Sequence, residues 1–167
     1  MGKALRNMNV LMRKLLFTPS HMKEMVSYLK TVDGDFSPPL SKQQPDLEKY
    51  AEKLLTKGDV WEAMVDNQSA GMIAVYANDI KNKFAYLSLL SVKSTFRNHG
   101  IAKLMLDEVF RFVRKKGMRT FCLESNNPIA IQLYEYLGFR ISKEICVGDE
   151  KKMLMECTLK DQNEKSR

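Results

Sequence analysis

From Leu87 to Phe139 the chain carries, in order, an apolar strand, a basic glycine-interrupted turn, a long amphipathic helix, a second strand, and a short helix led by Asn127-Pro128. The turn, Arg97-Asn98-His99-Gly100-Ile101-Ala102, is the most constraining part. It lies between a strand ending at Val92 and a helix that starts near Gly100. The first N–H groups of a helix have no intrahelical partner, and with the helix dipole they form a site for an anion such as phosphate. Gly100 lets the backbone approach that anion without an obstructing Cβ. Ala102 is small for the same reason, and Arg97 adds positive charge. The P-loop alternative is excluded, because no Gly-x-x-x-x-Gly-Lys-Ser/Thr occurs in the chain.

The elements around this turn form a regular α/β order. Val10 to Phe17 reads as a strand, and Thr18-Pro19 opens a helix to about Val32, with Thr as N-cap and Pro at the first helical position. Asp33-Gly34-Asp35 ends that helix. Phe36 to Ser41 reads as a loop because of its two prolines. Pro45 opens a second helix with Leu47, Tyr50, Ala51, Leu54 and Leu55 on one face, stopped by Gly58. Val60 to Val65 and Ala70 to Ala77 flank Asp66 to Ser69 as a hairpin, and Asn78 to Lys83 turns into the strand ending at Val92. After the phosphate turn, Ala102, Met105, Leu106, Val109, Phe112 and Val113 recur at helical spacing. Arg119 to Glu124 is the next strand and Asn127 to Leu137 a helix. Phe139 to Val147 and Lys151 to Leu159 form a closing hairpin. Residues 1–9 read as a leader, 10–159 as one domain, and 160–167 as a polar tail.

Composition narrows the function classes. With 167 residues, 44% hydrophobic and 28% charged, the chain can bury one ordinary core. Its apolar stretches are strand length, short of the ~18 residues that cross a bilayer. Met1 to Val10, with Lys3 and Arg6 but no apolar run before a small-residue cleavage site, does not read as a secretory signal, so the expected location is cytoplasmic, with no membrane partner. Cys122, Cys146 and Cys157 are odd in number and lack metal-ligand spacing, which points to buried free thiols and no metal. The 27 Lys and Arg against 20 Asp and Glu give a net charge of +7. These basic residues are dispersed. Arg111, Arg114, Lys115 and Lys116 sit where cations complement a helix C-terminus, so no nucleic-acid partner is expected. Modest positive charge suits a cofactor that carries several phosphates.

The turn and the later segment Asn127-Pro128-Ile129-Ala130-Ile131-Gln132-Leu133-Tyr134, running into Leu137-Gly138-Phe139, together resemble the GNAT superfamily of acetyl-CoA dependent N-acetyltransferases. That family carries Gln/Arg-x-x-Gly-x-Gly/Ala at the turn and often Asn-x-x-Ala-x-x-Leu-Tyr-x-x-x-Gly-Phe after it. The resemblance covers residues 10 to 159 and implies a mixed, mostly antiparallel sheet flanked by helices, an α/β fold of the acyl-CoA N-acyltransferase kind. It also implies acetyl-CoA as co-substrate, held by Leu90, Ser91 and Val92 on the strand, by Arg97, Asn98, His99, Gly100, Ile101 and Ala102 in the turn, and by Asn127 and Tyr134. The Leu90 N–H would polarise the thioester carbonyl. The amine attacks directly, and Tyr134 fills the general-acid position, protonating the departing thiolate.

The strand Tyr86-Leu87-Ser88-Leu89-Leu90-Ser91-Val92 lacks the carboxylate that many members place there as a base. Glu124 on the neighbouring strand is the first candidate, with Tyr86, Ser88 and ordered water as others. The family's frequent Gly at the position of Asn98 is also absent. The resemblance puts Asp33 to Ser41 over the acceptor site, with Phe36 as a substrate contact alongside Tyr86 and Ser88. The acceptor could be a small-molecule amine, an amino sugar or a peptide amine. A faint likeness of the Phe36 to Tyr50 region to members encoded with polysaccharide genes points toward amino sugars, and a homodimer is left open. The reading from a different class is a non-catalytic acyl-CoA sensor or regulatory module.

Overall fold

In the computed structural model, which describes residues 8–160, local chemistry sets most element boundaries. Residues 1–7 and 161–167, most of the expected leader and tail, lie outside the described residues. Strand β1 spans Val10–Leu15 and helix α1 Pro19–Val32, whose N-cap Thr18 accepts the His21 N–H at 3.1 Å. A 3-10 turn at Asp33–Asp35 follows.

The expected loop from Phe36 to Ser41 is shorter than its prolines suggested. Leu40–Gln43 forms a single helical turn, α2, directly after Pro39. A proline just ahead of a helical turn removes no intrahelical bond. The turn is tied back by Asp33, whose carboxylate accepts the Ser41 N–H at 2.6 Å and the Ser41 hydroxyl at 2.9 Å. Helix α3 covers Leu47–Lys57 and begins two residues later than Pro45, because Asp46 caps it by accepting the Lys49 N–H at 3.0 Å. Gly58 ends α3 in an extended conformation, φ −110°.

Strands β2, Asp59–Val65, and β3, Gln68–Asp79, are joined by Asp66-Asn67 alone, a tighter connection than the four residues expected. Both turn residues have positive φ, 49° and 62°. That geometry matches the twist of a two-residue hairpin and frees Gln68 and Ser69 to pair with Val65 and Met64. Then come β4 (Phe84–Val92), a 3-10 turn (Ser94–Phe96), α4 (Ile101–Lys115), β5 (Thr120–Ser125), α5 (Pro128–Tyr136), β6 (Arg140–Val147) and β7 (Glu150–Thr158). The strands form one seven-stranded, mostly antiparallel sheet in the order β1-β2-β3-β4-β5-β7-β6.

The described residues divide into two compact units, 8–75 with 89–109, and 76–88 with 110–160. In the first, Met25, Tyr28, Leu29 and Val32 of α1 and Tyr50, Ala51, Leu54 and Leu55 of α3 are the buried helix faces. In the second, Phe110, Phe121 and Phe139 meet at ring-centroid distances of 5.4–5.7 Å. The buried stripe of α4 is Ile101, Met105, Leu106, Val109, Phe110 and Val113. Ala102 and Phe112, expected on that stripe, are only half-buried because the face starts one residue earlier, at Ile101. Cys122 and Cys157 are buried free thiols; Cys146, expected to be buried, is exposed on the sheet's edge strand β6. Among the described residues, no helix is long and apolar enough to cross a membrane, and no group of three or more His, Cys, Asp or Glu could hold a metal.

Candidate active site

The phosphate turn lies at the C-terminal end of β4, and its backbone is unusual at two positions. Asn98 has φ 67° and Gly100 φ 76°, both in the left-handed region. Asn tolerates that region better than most residues, which explains how Asn98 stands where a glycine is frequent. The first helical bond of α4 runs from the Leu104 N–H to the Gly100 carbonyl at 3.1 Å. The N–H groups of Ile101, Ala102 and Lys103 therefore have no intrahelical partner. A Cβ built on Gly100 would meet no heavy atom within 4 Å. Open space beside a helix N-terminus is what a pyrophosphate requires. His99 is half-buried in the turn and Ile101 is core.

Arg97 is arranged differently from the expectation of a charge aimed at phosphate. Its Nε donates to the Val92 carbonyl at 3.1 Å, and its guanidinium pairs with the Asp35 carboxylate at 3.0 Å. Asp35 belongs to the segment expected over the acceptor, at the end of the Asp33–Asp35 3-10 turn. Half-buried Phe36 follows it directly. The ion pair thus ties the candidate phosphate turn to the candidate acceptor loop.

The backbone of β4 presents a second set of donors. The Lys93 N–H bonds to Ala70 of β3 at 2.8 Å. Successive residues of an antiparallel strand direct their N–H and C=O to alternate edges, so Leu90 and Val92 direct theirs away from β3. Ser91, between them, is 7% exposed, and Tyr28 of α1 bonds to both its carbonyl and its hydroxyl at 3.1 Å. The polar partnership of Tyr28 with Ser91 was not anticipated from the sequence. The available signal was Tyr28's place on the apolar face of α1, where a phenol needs a buried partner. A buried glutamate, Glu62, also went unnoticed; it is 3% exposed and paired with Arg13, which reaches Glu24 as well at 2.7 Å.

The second unit carries the remaining candidates. Its parallel pairing of β4 with β5 covers only Phe84–Tyr86 and Thr120–Cys122, whereas β5 stays paired with β7 as far as Ser125. Tyr86 and Ser88 are half-buried on β4, and Glu124 is exposed on β5. Asn127 caps α5: its side-chain oxygen accepts the Ile129 and Ala130 N–H groups at 3.0 and 3.4 Å. The capping role is therefore occupied by Oδ1. Tyr134, 6% exposed, packs edge-on against Phe139 with centroids 5.7 Å apart. Burial holds its hydroxyl well above the ordinary tyrosine pKa, so it is protonated at neutral pH.

The family model described as the Acetyltransferase (GNAT) family matches residues 26–139, more than half of the chain. The chain belongs to the GNAT acetyltransferase family. It is accordingly an acetyl-CoA dependent acyltransferase. This GNAT enzyme is 28% identical over 153 residues to N-alpha-acetyltransferase 30 of Saccharomyces cerevisiae, covering 83% of this chain and 84% of that protein. Its fold matches the ribosomal-protein-S18-alanine N-acetyltransferase of Escherichia coli with a TM-score of 0.71 at 16% identity, over 94% and 99% of the two chains. It also matches a GNAT family acetyltransferase from Elizabethkingia anophelis with acetyl-CoA bound, TM-score 0.61 at 18% identity, over 90% and 99%. The donor-lined turn and the outward edge of β4 suit the phosphates and the amide-bearing arm of acetyl-CoA.

Proposed function

We propose that this enzyme transfers the acetyl group of acetyl-CoA to a primary amine of a protein or peptide, by direct attack of the amine on the thioester. The observation that carries the cofactor's placement is the open space at Gly100, where an added Cβ would meet no heavy atom within 4 Å, immediately before α4 begins at Ile101. The acceptor class is supported by the relatives' names, an N-alpha-acetyltransferase and a ribosomal-protein acetyltransferase. That reading displaces the amino-sugar alternative, and a cytoplasmic location accompanies it.

Acetyl-CoA supplies the activated acetyl group; the chain's own residues hold it and handle protons. In the Arg97–Ala102 turn the N–H groups after Arg97, whose own N–H donates to the Ser94 carbonyl, take the pyrophosphate, with Asn98 and His99 beside it. The outward N–H of Val92 pairs with the arm, and the Leu90 N–H donates to the thioester oxygen as negative charge develops there. Asn127, whose Oδ1 caps α5, offers its amide N–H to the arm. Tyr134, held protonated by burial, gives its proton to the leaving thiolate. Glu124, exposed in this structure, takes the ammonium proton of the acceptor through solvent, and Tyr86 and Ser88 contact the acceptor.

Calorimetric titration tests the placement. Gly100→Val forces a β-branched residue into φ 76° and fills the anion's space, so acetyl-CoA affinity should fall at least about tenfold, one factor of ten per 1.4 kcal/mol. Unchanged affinity in a folded variant would remove the phosphate turn from the account.

A further inference from the structure

The tyrosine of α1 that reaches the central strand has no place in the chemistry described so far. Tyr28 is 3% exposed, and its hydroxyl donates to the Ser91 carbonyl at 3.1 Å while lying 3.1 Å from Ser91 Oγ. The Lys93 ammonium sits over the Tyr28 ring, 5.3 Å from its centroid. One aromatic side chain thus contacts both residues that flank Val92, and it hydrogen-bonds to Ser91. The Ser91 carbonyl is bounded from another side by Gly71, where an added Cβ would come within 2.9 Å of that oxygen. That Cβ would come as close to the Met105 side chain; the methionine can shift but the backbone oxygen cannot swing aside, so glycine at 71 leaves the Ser91–Val92 peptide its space.

We infer that Tyr28 is a positioning residue for the acetyl-CoA arm, acting through the Ser91–Val92 peptide. The carbonyl that accepts the Tyr28 hydroxyl and the Val92 N–H belong to one amide group. A hydrogen bond accepted at the carbonyl polarises that amide, makes its N–H a stronger donor, and fixes the plane in which the N–H points. The N–H in question is the one directed away from β3, toward the edge assigned to the arm. Burial pushes the Tyr28 hydroxyl up to about 12, so it remains a donor throughout the physiological range. Loss of the hydroxyl leaves the carbonyl buried with one partner fewer and the peptide plane less constrained.

This inference rests on the assignment of β4 as the strand that pairs with the arm. Two titrations keep them apart, one with acetyl-CoA and one with the nucleotide half of coenzyme A, which has the phosphates but no pantetheine arm. Tyr28→Phe should weaken acetyl-CoA about three- to tenfold, the worth of one net hydrogen bond, and leave the nucleotide half within twofold. Gly71→Ala, which presses on the same carbonyl from β3, should act in the same direction. Leu29→Val, a packing change on the same buried helix face, should lower the melting temperature without moving either affinity. A folded Tyr28→Phe protein that binds acetyl-CoA as the parent does, or one that loses both ligands equally, would overturn the positioning role. If the parent itself binds both ligands with one affinity, the assignment of β4 to the arm fails instead.

Discussion

In the proposed mechanism Tyr134 serves packing and chemistry together. Its ring is part of the contact with Phe139, and its hydroxyl is the only part that Tyr134→Phe removes. The variant should fold and bind acetyl-CoA within a small factor of the parent. Its kcat should fall by about 10²–10⁴, roughly 3–5 kcal/mol of transition-state stabilisation. Steady-state kinetics on a reactive amine checks this, and near-parental kcat would make the residue structural. The raised pKa also fixes the direction of the alkaline limb. Because burial lifts the hydroxyl above its ordinary value, the acid form persists past about pH 10, and activity lost at lower pH belongs to another group. Tyr134 stood out in the sequence as a candidate because its spacing from Asn127 and Gly138 is a pattern. Tyr28 did not, since its partner Ser91 is 63 residues away and no spacing encodes that meeting. For a related reason the charge of Arg97 was legible in the sequence, and its ion pair with Asp35 was not.

At the scale of elements, the connection from α1 to α2 is held from both ends. Asp33 caps α2 through Ser41, and Asp35 pairs with Arg97 of the phosphate turn. Exposed ion pairs are worth about 0–1 kcal/mol, so Asp35→Asn should change acetyl-CoA affinity by less than about fivefold. Phe36→Ala should raise the acceptor's KM and leave the acetyl-CoA dissociation constant alone. Paired KM and calorimetric measurements on the two variants separate these roles, and a fall in cofactor affinity with an unmoved acceptor KM would misplace the loop. The main elements were visible in the sequence where caps and periodicity agree, as at Thr18-Pro19 and Asn127-Pro128. The α2 turn was hidden because its stabilising contact, Asp33 to Ser41, spans eight residues, and proline chemistry alone argued for a loop. The Asp66-Asn67 hairpin was visible, but its tightness depended on two residues adopting positive φ.

Over the whole molecule, buried acids set the response to alkali. Burial pushes the Cys122 thiol up to about 12, with repulsion from Glu156 and Glu124 adding to it, and pushes Tyr28 up to about 12. In the unfolded chain these groups lose their protons at lower pH, so between the two values the unfolded state binds fewer protons and stability falls as pH rises. The melting temperature should stay level near neutrality and decline from about pH 9 upward, the range where ordinary thiols and then phenols ionise. Cys122→Ala should delay the onset in thermal melts, and an unchanged onset would remove Cys122 from the explanation. The central claim, that this fold moves acetyl groups to a peptide amine, is tested most directly by thiol release. Acetyl-CoA is mixed with the enzyme and peptides bearing free N-termini, the same peptides blocked at the N-terminus, a lysine-containing peptide, or an amino sugar. The account predicts free thiol with a free-amine peptide, one acetyl group gained by that peptide in its mass spectrum, and none on peptides lacking any free amine. Tight binding of acetyl-CoA with no thiol released above background by any amine would contradict it.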